Sequence, residues 1–152
     1  MIHDLERFLR CAAMLESDAA DGYDQLAKKM NEIGDDEVTA LFAKFGEFSR
    51  LHHKEVREIQ QRELGKVFED RLGDVLWPDQ WSPENPLAQA ELDGITPKKA
   101  IETALETERR ACDFYSMIAG QTRSDRVQEL AQEFAEEEAE HVEHLERWLG
   151  RL

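Results

Sequence analysis

Apolar residues recur every three or four positions along four stretches of the chain, the spacing that lines one face of an α-helix. The first stretch runs from about Leu5 to Met30 and the second from about Glu37 to Leu64. Between them, Asn31-Glu32-Ile33-Gly34-Asp35-Asp36 breaks the rhythm, with Gly34 suited to a helix end and Asp35 or Asp36 to an N-cap. The third stretch opens at Thr96-Pro97, a cap followed by proline at the first helical position, and runs to about Ala119. Gly120 to Ser124 makes the next turn, and the fourth stretch continues from Asp125 to about Leu149. Gly and Pro are otherwise concentrated between positions 65 and 97. The pattern predicts an all-α fold with four long helices in one domain spanning residues 1–152.

The stripes carry interruptions. In the first helix Leu5, Leu9, Ala12, Ala19, Tyr23, Leu26 and Met30 are in phase, and Glu16 falls among them. The second offers Val38, Leu41, Phe45, Phe48, Val56 and Ile59, with His52 in phase. The third offers Ile101, Ala104, Ala111, Tyr115 and Ile118, with Glu108 in phase. The fourth offers Val127, Leu130, Phe134, Leu145 and Trp148, with Glu138 and His141 in phase. Five ionisable side chains thus stand where the pattern calls for apolar ones.

The chain also repeats itself. A shift of 92 residues lays helix 3 on helix 1, with Glu108 on Glu16, Ala111 on Ala19 and Tyr115 on Tyr23. A shift of 89 lays helix 4 on helix 2, with Val127 on Val38, Phe134 on Phe45 and His141 on His52. Two similar hairpins are therefore joined by a linker at about 65–96. A helix of about 25 residues is about 37 Å long, and about 30 extended residues span that length easily. One long crossover is the ferritin-like form of the four-helix bundle. Within it, Val67 to Leu72 reads as a short helix, and Trp77, Pro78, Trp81 and Pro83 as irregular packing. The Trp77 and Trp81 pair is expected to plug the core or a dimer interface.

Composition narrows the function. The 152 residues suffice for one substantial core. A net charge of −15 argues against nucleic acid or an anionic membrane as partner. No apolar run approaches the roughly 18 residues of a membrane span. The start, Met1-Ile2-His3-Asp4-Leu5-Glu6, lacks the regions of a signal peptide, so the expected location is cytoplasmic. Cys11 and Cys112 form no C-x-x-C pair and read as buried small residues, while His53 and His144 read as surface residues.

The five interruptions carry the chemistry. An ionised group buried without a partner costs several kcal/mol, so it must pair, protonate or bind metal. Glu138-Ala139-Glu140-His141 is a Glu-x-x-His, which puts a carboxylate and an imidazole on one helix face. Dimetal bundles use one Glu from each of two helices and a Glu-x-x-His from each of the other two. Glu16, Glu108, Glu138, His52 and His141 supply all of these but one, because the helix-2 motif reads Ser49-Arg50-Leu51-His52. Glu55, three residues beyond His52, is placed to reach in. Mixed oxygen and imidazole ligation suits iron or manganese, with open positions for dioxygen or peroxide.

The four helices resemble the rubrerythrin branch of the ferritin-like superfamily. The resemblance rests on Glu16-Ser17-Asp18-Ala19-Ala20-Asp21-Gly22-Tyr23, on Glu108 through Phe114-Tyr115, and on Glu138-Ala139-Glu140-His141. It implies Glu16 and Glu108 as terminal ligands, Glu138 as a bridge, and His52 and His141 as one imidazole per metal. It implies Tyr23 and Tyr115 as hydroxyls that orient the carboxylates. The implied cofactor is one or two irons per chain, with manganese as an option. The implied activity is reduction of peroxide or dioxygen by a homodimer fed by an external electron donor. Ferroxidation with iron storage, and a metal-free scaffold, are the alternatives. The chain departs from the family at Ser49, and in having Leu105 and Ala111 where rubrerythrins carry a second helix-3 glutamate. It also lacks the Cys-rich rubredoxin module.

Overall fold

The computed structural model describes residues 2–70, Trp77 and residues 90–152. Four helices form: α1 over Leu5–Glu32, α2 over Asp36–Leu64, α3 over Pro97–Gln121 and α4 over Asp125–Leu149. Each begins on a side chain that accepts from an amide the helix leaves unpaired. Asp4 accepts from Glu6, Asp35 from Val38, Thr96 from Lys99 and Ser124 from Val127. Gly34 follows α1 with φ of 85° and Gly65 follows α2 with φ of 78°, the left-handed turn that glycine enters without strain. Gly120 does not end α3 as expected: the helix runs to Gln121, and extended Thr122 stops it. No helix forms over residues 67–70. The rest of the expected short helix, together with Pro78, Trp81 and Pro83, lies outside the described residues.

Contacts between the hairpins fix the directions of the helices. Helix α1 packs along α2, and α3 along α4. Phe8, near the start of α1, meets Tyr115, near the end of α3, with ring centroids 6.0 Å apart. Toward the other end of α1, Tyr23 bonds Glu108, which is earlier in α3, so α1 and α3 are antiparallel. Likewise Phe45 meets His141 at 5.4 Å and His52 meets Phe134 at 4.5 Å, so α2 and α4 are antiparallel. It follows that α2 and α3 run the same way, and the chain must travel the bundle's length to join them. This is the ferritin-like arrangement. Among the described residues, no helix is long and apolar enough to cross a membrane.

The core falls into two apolar clusters. One gathers Phe8, Leu9, Ile59, Phe114, Tyr115, Leu130 and Phe134, with Trp77 reaching it from the crossover. The second gathers Leu26, Met30, Leu41, Phe45, Ile101 and Leu145. Trp77 packs edge-on against Phe114 at 5.6 Å, and its carbonyl accepts from Arg7, which pins the crossover to the bundle. Fully burying one large apolar side chain stabilises by about 1.5–3 kcal/mol, so two such clusters can offset a polar layer between them. Cys11 is buried, and that burial pushes its thiol up to about 12. Cys112 is half-buried instead, against the α4 backbone at Ala135.

Candidate metal centre

Glu16, Ser49, His52, Glu108 and Glu138 lie between the two clusters, none more than 6% exposed. They are there because each keeps helical phase with apolar neighbours that must be inside. Glu16 follows Ala12 and precedes Ala19, and Glu138 follows Phe134 and precedes Leu145, all of them buried. His141 completes the layer with 23% of its side chain exposed.

The five expected ligands come together as two triads. Ligand atoms of Glu16, His52 and Glu138 all lie within 4.8 Å of one another, and so do those of Glu108, Glu138 and His141. Glu138 belongs to both. The Nδ1 N–H of His52 donates to Glu16 Oε1 at 2.8 Å. Across the layer, His141 Nδ1 stands 3.6 Å from Glu108 Oε2 and 3.4 Å from Glu138 Oε2. Each triad therefore offers its own carboxylate and imidazole, and they share one further carboxylate.

Electrostatics balances these charges internally. For His52, burial opposes the charged ring, but the bond to Glu16 outweighs it and pushes the imidazole up to about 9. His141 is raised in the same way by Glu108, against the effect of burial. For Glu108, burial is outweighed by hydrogen bonding from Glu138, His141 and Tyr23, which holds its carboxyl below the usual range. Glu138 goes the other way: burial, then the carboxylates of Glu108 and Glu16, push it well above. Burial and the neighbouring carboxylates thus set Glu138 apart from Glu108, while each imidazole is drawn toward its charged form by the carboxylate beside it.

The two tyrosines differ. Tyr23 donates its hydroxyl to Glu108 Oε1 at 2.5 Å, as expected of a group that orients a carboxylate. Tyr115, its counterpart in the repeat, is wholly buried, and its hydroxyl has no hydrogen-bond partner among the described residues. Glu138 Oε2 and His52 Nε2 are also buried without one. Three orphaned polar atoms in one layer cost about 1–3 kcal/mol each. A donor set of three carboxylates and two imidazoles fits divalent iron or manganese, which would take up the carboxylate and imidazole atoms.

Two further residues join from a side not expected. Glu137 Oε2 stands 3.4 Å from His52 Nε2, and Glu55 completes a third group with them, again within 4.8 Å. Glu137 sits in the acidic run Glu136-Glu137-Glu138, which reads as a solvated face. What could have singled it out is its place four residues before His141, beside the stripe. His53 and His144 are not plain surface residues either. His53 is half-buried and bonds Asp70 Oδ2 at 2.9 Å, and half-buried His144 packs edge-on against Phe45 at 5.4 Å.

Known proteins agree with this architecture. The Rubrerythrin family model matches residues 99–152, which carry Glu108, Glu138 and His141. The crystal structure of an uncharacterized conserved protein from Magnetospirillum magnetotacticum MS-1 superposes with a TM-score of 0.75 at 29% sequence identity. That match covers 95% of this chain and 92% of the other. No curated protein matches the chain. The second hairpin is thus similar to the rubrerythrin family, and the likeness of the whole chain to the Magnetospirillum protein extends over both hairpins of a ferritin-like fold.

Proposed function

We propose that the chain holds two iron ions in its core and uses them to reduce peroxide or dioxygen with electrons from an external donor, manganese being the alternative metal. The observation that carries this reading is the pair of triads joined at Glu138. Iron there would supply one-electron redox chemistry and open positions for an oxygen-containing substrate. The protein's own part is to fix the ligands and manage protons. Tyr23 holds the Glu108 carboxylate in place, and the apolar clusters on both sides keep bulk water out. Without metal, His52, His141 and Glu138 have raised proton affinity, so protons occupy the empty layer where a cation would displace them. A cleft of about 210 Å³, lined by His52, Glu140 and His141 among others, gives a small substrate a route in.

Ser49 bears on stoichiometry. It is buried where the repeat places a partner for Glu138, so the two triads have one shared carboxylate and not two. Anaerobic ferrous loading followed by elemental analysis tests the reading. About two irons per chain, falling below one in Glu138→Gln, together with peroxide consumption by the loaded protein, is the expected result. No iron uptake would instead favour a scaffold that has lost its site. Many irons per chain would favour storage. A cytoplasmic homodimer without nucleic-acid or membrane partners goes with this proposal.

A further inference from the structure

We propose that His52 Nε2, Glu55 and Glu137 form a separate cation site at the mouth of the centre, which takes up a divalent transition-metal ion before it passes inward. The loading role rests on the reading of the two buried triads as a metal centre.

The first ground is an unsatisfied atom. His52 is 6% exposed, its Nδ1 is engaged with Glu16, and its Nε2 has no hydrogen-bond partner among the described residues. That nitrogen faces Glu137 Oε2 at 3.4 Å, too long for a good hydrogen bond but suited to two ligands of one cation. Glu55 brings a second carboxylate into the same group. Imidazole with carboxylate oxygens suits divalent manganese, iron, cobalt or zinc.

The second ground is access. His52, Glu55 and Glu137 all line the cleft that opens beside Leu51 and Glu140. Glu55 and Glu137 are half-buried, so a hydrated ion can reach them without the bundle opening.

Asymmetry is the third ground. Under the repeat, Glu137 corresponds to Phe48 and Glu55 to His144. The cleft side of His141 therefore has no matching acids: Phe48 stacks on that ring at 5.4 Å with planes 3° apart. A generic solvated face would treat both imidazoles alike. Here carboxylates gather beside one and an aromatic ring covers the other.

The chemistry of one imidazole links the two sites. His52 turns Nδ1 toward Glu16 in the buried triad and Nε2 toward Glu137 in the cleft. An ion held at the mouth is therefore one ring's width from the inner ligands, as a handover requires.

Cobalt(II), followed by its visible absorption and by equilibrium dialysis, is the probe. In Glu16→Gln/Glu108→Gln/Glu138→Gln the buried centre is disabled with little change in volume, and melting curves report folding. That variant is expected to bind one Co(II) per chain, and to lose it when Glu55→Gln and Glu137→Gln are added. With the buried centre intact, Glu55→Gln/Glu137→Gln should reach the wild-type final stoichiometry but load about tenfold more slowly, the scale of a lost electrostatic funnel. Absence of Co(II) in the triple variant, or loading of the double variant at the wild-type rate, would overturn the inference. A wild-type chain holding one Co(II), indifferent to Glu138→Gln and lost with Glu55→Gln/Glu137→Gln, would remove the buried centre and leave the mouth site standing.

Discussion

Single residues in the polar layer respond differently to change, depending on whether they already have a partner. Tyr23 donates to Glu108, whereas the Tyr115 hydroxyl is buried with no acceptor among the described residues. Tyr23→Phe should therefore cost the metal-free chain about 1–3 kcal/mol, and Tyr115→Phe close to nothing, as thermal or urea melts would show. Equal costs would mean that the two hydroxyls are equivalent, contrary to the geometry. Ser49 tests the same layer in reverse. Ser49→Glu adds a carboxylate at a position 5% exposed, in a layer where burial and then the neighbouring acids already raise Glu138. The metal-free variant should lose several kcal/mol, and manganese(II) should restore more stability to it than to wild type. At this scale the sequence is readable wherever a residue breaks phase. Glu16, His52, Glu108, Glu138 and His141 all announce themselves as polar on an apolar stripe. Glu137 and Glu55 do not, because a carboxylate beside the stripe looks the same whether it faces water or a cleft.

Helix boundaries were legible where a backbone group needs a particular side chain. Asp35, Thr96-Pro97 and Asp125 mark starts to within a residue or so, because their residue types answer unpaired amides. Gly120 misled because glycine is permitted, not obliged, to leave a helix, and α3 passes through it. Core width was also underread: Phe8, Phe42, Leu105 and Phe114 are buried although they flank the narrow stripe. A helix touching partners on two sides buries an arc wider than one line of i, i+3 and i+4 positions. The Asp35 cap gives a test at this scale. Asp35→Ala leaves the Val38 amide without its 3.0 Å acceptor and should cost about 1 kcal/mol, measured by urea melts. Because the cap is far from His52 and Glu138 in sequence and outside the polar layer, metal stoichiometry should not change.

For the whole molecule, the layer that divides the core has to be stable before metal arrives, and its protonation pattern shows how. The crossover's length and the hairpin repeat predict the antiparallel pairing of α1 with α3 and α2 with α4, but not this charge balance, which depends on distances. His52 is raised to about 9, above an ordinary value near 6.5, by its bond to Glu16. A raised folded value stabilises the metal-free fold fully below about 6.5, and that contribution is lost as pH rises through about 9. The same protons stand in the way of a cation. At neutral pH His52 holds its proton, and proton affinity is raised at His141 and Glu138 as well, so filling both triads should release protons, at least one per chain. Apparent metal affinity should then climb with pH until His52 titrates near 9 and flatten above it. Calorimetric titration with manganese(II) in two buffers of different ionisation enthalpy counts those protons directly. A count of one or more would tie the protonated groups of the empty layer to the ligands of the filled one. A count near zero would mean that the ion binds elsewhere, on carboxylates that were already ionised and facing water.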